Sequence, residues 1–63
     1  MLPESSQKVF DYHLPVVMHY AKIQVGKGLP KPEVMKIMKE YLTTKTFLVR
    51  EQKAFIAYLD KMI

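Results

Sequence analysis

Apolar residues recur at helical spacing in three stretches of the chain, and each stretch is bounded by residues that break helices. In the first, Leu14, Val17, Met18, Ala21 and Val25 follow one another at steps of three and four, with Val16, Tyr20 and Ile23 alongside. This predicts a helix from about Pro15 to Val25. Proline suits a first-turn position, where its missing N–H is no loss, so Ser6 to His13 is expected as a short separate helix or one joined by a kink. Gly26-Lys27-Gly28-Leu29-Pro30-Lys31-Pro32 gathers both glycines and two of the four prolines, which makes it the one strong interior boundary. Gly26 is the expected left-handed stop.

The second helix should begin near Pro32, with Glu33 at the positive end of its dipole. Val34, Met35, Ile37, Met38, Tyr41 and Leu42 form its apolar stripe, while Lys36, Lys39 and Glu40 face away. Thr43-Thr44-Lys45-Thr46 interrupts the pattern with residues that favour caps and turns, and Thr46 is the expected N-cap of a third helix from about Phe47 to Lys61. There Leu48, Phe55, Leu59 and Met62 line one side, Ile56 and Tyr58 widen it, and Arg50, Glu51, Lys53 and Asp60 are expected to stay wet. The pattern therefore predicts an all-α fold: a small antiparallel bundle of three helices, or four with a short N-terminal one. The first and third helices should meet through Val17, Leu48, Phe55 and Leu59.

The first helix carries more apolar surface than such a bundle can cover. From Phe10 to Val25 only Asp11 and Lys22 bear full charges, and two neighbouring helices can cover only one side. The remainder predicts an exposed patch of the kind that marks an interface. Val16, Tyr20, Ile23, Met38 and Tyr41 are the candidate partner-binding residues. Five Met and four Tyr fit such a role, since Met repacks readily and Tyr offers contact area with a polar tip.

With 63 residues, 49% hydrophobic and 25% charged, the chain has the balance of one folded domain, residues 1–63, rather than of a disordered segment. A core this small usually needs a disulfide, a metal or a partner surface. There is no Cys, and His13 and His19 alone cannot complete a metal's ligand set, so no metal or other cofactor is expected and self-association or docking onto a larger protein remains. No stretch approaches the ~20 apolar residues that span a bilayer. Met1-Leu2-Pro3-Glu4-Ser5-Ser6 lacks the basic start and apolar run of a secretory signal, so a soluble, intracellular protein is expected.

Catalysis has little to draw on. A nucleophilic site needs a base within reach of a hydroxyl or thiol and a third group to orient it. His13 and His19 are six apart and point to different sides of a helix, and the carboxylates Glu4, Asp11, Glu33, Glu40, Glu51 and Asp60 are scattered. A non-enzyme with no small-molecule substrate is the expectation. The Gly26-Lys27-Gly28 turn lacks the spacing and the Lys-Ser/Thr pair of a phosphate-binding loop.

The net charge of +4 is almost all Lys and is spread along the chain, +1 over 1–28, +2 over 29–46 and +1 over 47–63. Lys31, Lys36, Lys39 and Lys45 form the best candidate nucleic-acid patch, although the proline-bearing connector is longer than a helix-turn-helix allows. A leaderless, membrane-active helical peptide is the third and least favoured alternative, since the chain has no Trp and six acidic residues. Tyr20-Ala21-Lys22-Ile23, followed by a proline-containing linker and an amphipathic helix, is similar to the matrix-side part of mitochondrial ATP synthase subunit g. The match covers a handful of residues, the family's membrane helix has no counterpart in them, and the resemblance implies no function. The leading expectation is a small binding module, acting as regulator, inhibitor or accessory subunit on a larger protein or as a homodimer.

Overall fold

The structure, a computed structural model, describes residues 2–63 and consists of three helices. They are α1 (Glu4–Gly26), α2 (Lys31–Thr43) and α3 (Val49–Met62). At about 1.5 Å per residue α1 is some 35 Å long, which matches the long dimension of the molecule, 35 × 17 × 17 Å. Lys31 at the start of α2 pairs with Asp60 near the end of α3. Ser6 at the start of α1 meets Glu51 at the start of α3. The chain thus runs up, down and up, and every consecutive pair of helices is antiparallel.

The first helix is one continuous element, and Pro15 lies inside it rather than at its start. A proline there leaves the carbonyl of Asp11 without its intrahelical donor. Both residues are exposed, so water can serve that oxygen. The opposite side of the helix determines continuity. Ser6, Phe10, Leu14, Val17, Ala21 and Gln24 recur at steps of three and four straight through the proline, and all turn inward. Of the two arrangements expected for Ser6 to His13, the separate helix is absent and the segment is joined to the rest of α1: residues 4–14 bury the same stripe as residues 16–26, and the bundle has three helices among the described residues.

The turn after α1 also differs from expectation. Gly26 is the last helical residue, and the left-handed position is Gly28, with φ +82°. The N–H of Lys27 donates to the carbonyls of Ile23 and Gln24, so the helix tightens for one more step before it reverses. Helix α2 then starts close to where Pro32 predicts, with that proline in its first turn.

Helix α3 begins two residues later than expected, and Thr46 does not cap it. Leu48 holds the cap position in extended backbone, and its N–H donates to the carboxylate of Glu51 at 2.9 Å. This is the reach-back half of a capping box, supplied by the third residue of the helix. Meanwhile the hydroxyls of Thr43 and Thr44 donate to the carbonyls of Glu40 and Tyr41, each at 2.7 Å. They close α2 instead of opening α3.

Val17, Ala21, Val34, Met38, Leu42, Phe55 and Leu59 form the core, each at most 2% exposed. Phe55 is its hub: its ring stacks on Phe10 at 4.7 Å and meets Phe47 at 5.0 Å between centroids. Of the predicted α1–α3 contact, Val17, Phe55 and Leu59 all lie in the core, and the α1 side chain that stacks on Phe55 is Phe10. Leu48 is 51% exposed and Met62 58%, so neither joins the core; the first is a cap residue and the second lies in the last turn of its helix.

Candidate functional site

Helix α1 presents two kinds of apolar residue. Those on its inner side build the core, whereas Tyr12, Val16 and Ile23 on its outer side remain 79%, 59% and 43% exposed. Together with exposed His19 they recur at steps of four, three and four, so they lie in one line along the helix. Tyr20, half-buried, sits between this line and α2 and stacks on Tyr41 with centroids 4.4 Å apart. The Lys45 ammonium stands over the Tyr41 ring, 4.9 Å from its centre. Of the five residues expected to bind a partner, Val16, Tyr20, Ile23 and Tyr41 thus share the α1–α2 side. Met38 is the exception: it is fully buried, because it falls between Val34 and Leu42 on the inner stripe of α2, and it belongs to the core.

The four lysines of the nucleic-acid alternative are not equivalent. Lys31 donates to the backbone carbonyl of Asp60 at 2.9 Å and pairs with its carboxylate at 3.1 Å. Lys45 lies over Tyr41. Lys36 and Lys39 are exposed and, among the described residues, pair with no carboxylate.

The chain places one acid where sequence reasoning did not. Glu51 is buried, not wet. One carboxylate oxygen accepts the Leu48 N–H, and the other accepts the Ser6 hydroxyl at 2.7 Å. The Ser6 oxygen in turn accepts from Arg50 Nε at 2.9 Å. The hydrogen bonds from Leu48 and Ser6 hold the Glu51 carboxyl below the usual carboxylate range against the opposing effect of burial, with smaller help from the charges of Arg50 and His13. The two bonds of the Ser6 hydroxyl, to Glu51 and from Arg50, tie the start of α1 to the start of α3. The imidazole of His13 lies edge-on between Tyr12 and Phe47, at 5.0 and 5.1 Å, and His19 is exposed. Among the described residues no three His, Asp or Glu side chains gather as a metal site would need. None of the described helices is long and apolar enough to cross a membrane.

A further concave surface, which sequence reasoning missed, lies between α2 and α3. It is an open groove of about 610 Å³ lined by Met35, Lys39, Leu42, Val49, Lys53 and Ile56, among others. Its signal in the sequence was the position of Met35 beside Lys39 and of Val49, Lys53 and Ile56 on one side of α3. Comparison of the chain with protein-family models, with curated proteins and with solved structures gives no match.

Proposed function

We propose that this chain is a non-enzymatic protein-binding module, a small regulator, inhibitor or accessory subunit, that works through the outer side of α1. The observation that supports this is a surplus: the core closes on Val17 and Ala21, yet Tyr12, Val16 and Ile23 on the same helix stay in water. Large apolar side chains aligned on one exposed face are what a contact surface requires, and burying them against a partner would add to a core that is small for an independent domain. Tyr20 and Tyr41 border the face with a stacked aromatic pair, the residue type enriched where binding energy concentrates.

Size-exclusion chromatography with light scattering across a concentration series tests the proposal, alongside binding of a dye that fluoresces on apolar surfaces. Association or dye binding is expected, and Val16→Asp should abolish it without loss of helicity by circular dichroism. A chain that stays monomeric at every concentration and leaves the dye dark would overturn it. The lysine-based alternative has less support, since Lys31 and Lys45 already have partners. It would require a shift of duplex or single-stranded nucleic acid at low salt that weakens steeply as salt rises.

A further inference from the structure

The groove between α2 and α3 shares the character of a binding surface but stands on a different side of the bundle from the α1 face, and its charges say more about its occupant. Because Lys31 pairs with Asp60, the two helices run past each other in a fixed register. Leu42 lies level with Val49, Met35 with Ile56, and Lys39 with Lys53. On this register the lining has half-buried Met35 and Ile56 toward one end, Val49 at the other, and the exposed Lys39 and Lys53 between them. Asp60, the one acid on its lining, is already neutralised by Lys31. Among the described residues Lys39 and Lys53 pair with no carboxylate.

We propose that this groove docks an acidic amphipathic helix of another protein, with apolar side chains at both ends and a carboxylate between Lys39 and Lys53. The position of the charge selects this occupant. A fatty acid or other single-headed amphiphile carries its anion at one end, so a mid-groove anion would leave the apolar residues of one end uncovered. A helix repeats apolar residues every three or four positions and can carry an acid between them. A second copy of this chain is a poor fit, because the exposed Tyr12–Val16–Ile23 line of α1 has His19, not an acid, between its apolar residues.

The test uses fluorescein-labelled peptides of about three to four helical turns, enough to run the length of α2. One has a leucine stripe flanked by glutamates, and its twin has glutamines in their place. Fluorescence anisotropy with the full chain should show the glutamate peptide binding about tenfold tighter at low salt, the effect of two modest ion pairs. The difference should vanish near ~1 M salt, where the Debye length is about 3 Å. The double variant Lys39→Glu/Lys53→Glu should reverse the preference toward a lysine-flanked peptide, and Val49→Asp should remove binding of both. These side chains are exposed, and circular dichroism will confirm that the fold survives. Amide shifts on the glutamate peptide should fall at Met35, Lys39, Lys53 and Ile56. Equal binding of the two peptides, no response to charge reversal, or shifts confined to Val16 and Ile23 would each overturn the groove proposal. The last outcome would leave the α1 face standing, and loss of α1-dependent association would leave the groove standing.

Discussion

At the scale of single residues, two glycines in one turn have opposite roles. Gly26 has ordinary helical backbone and open space where a Cβ would go. Gly26→Ala should raise stability by about 0.4–1 kcal/mol, chiefly by reducing the freedom of the unfolded chain. Gly28 has equal space but φ +82°, so Gly28→Ala should cost roughly 1–2 kcal/mol. Urea denaturation of the two variants should therefore move the midpoint in opposite directions. Glu51 is the other decisive residue. Its carboxyl is held low in the folded protein, so the stability it contributes is fully present above about pH 4.3, the value in an unfolded chain. That contribution is lost as pH falls through the lower folded value. A wild-type melting temperature that declines below about pH 4.3 should decline less in Glu51→Gln, which carries no titrating group there. Ser6→Ala should bring the folded carboxyl back toward its ordinary value and cost about 0.5–1.5 kcal/mol at neutral pH, since the hydroxyl links Arg50 to Glu51. Thermal melts between about pH 3 and 7 check both.

At the scale of elements, the apolar stripe of α2 could be read from the sequence because burial follows it closely, with Val34, Met38 and Leu42 fully covered, whereas in α1 Val17 and Ala21 are buried as expected but Val25 is 46% exposed and Gln24 is buried in its stead. What could not be read depended on contacts distant in sequence. Pro15 carries a local signal for a helix start, yet Phe10 stacks on Phe55, forty-five residues away, and that packing extends the helix backward through the proline. Thr46 carries a local signal for a cap. Glu51 overrides it, and the spacing of Leu48 to Glu51 was the clue, masked because an acid in an amphipathic helix is ordinarily a solvent-facing residue. The pairing of Lys39 with Lys53 across a groove depends on register between helices and has no one-dimensional trace. Pro15 also supplies a prediction. It is exposed, its neighbours in the helix are regular, and its removal would restore a donor to the Asp11 carbonyl. Pro15→Ala should stabilise the protein by about 1–3 kcal/mol, the helix-interior difference between the two residues less whatever the backbone has already relaxed. In a chain of this size that corresponds to a rise of at least about 4 °C in melting temperature. An unchanged or lower value would mean that α1 needs a local distortion at that point.

At the scale of the whole molecule, the division of α1 into a core side and a contact side predicts two distinct kinds of damage. Leu59 is fully buried at the junction of the helices, and truncation to Ala should cost about 2–5 kcal/mol through lost burial and the cavity left behind. A small bundle has little stability in reserve, so Leu59→Ala should melt at or below room temperature and lose helicity at every concentration. Ile23→Asp lies on the other side of the same bundle. At 43% exposure it removes little from the core, and the isolated chain should keep its helicity and most of its unfolding free energy. Tyr20→Ala is the sensitive case, because Tyr20 stacks on Tyr41 at the boundary between the two sides. A loss of about 0.5–1.5 kcal/mol in stability is expected from the stacked pair alone. Any larger effect should appear in association, measured by light scattering as protein concentration is raised. If Tyr20→Ala unfolds the monomer as thoroughly as Leu59→Ala while leaving association untouched, the two tyrosines are core residues and the contact surface ends at the line Tyr12, Val16 and Ile23.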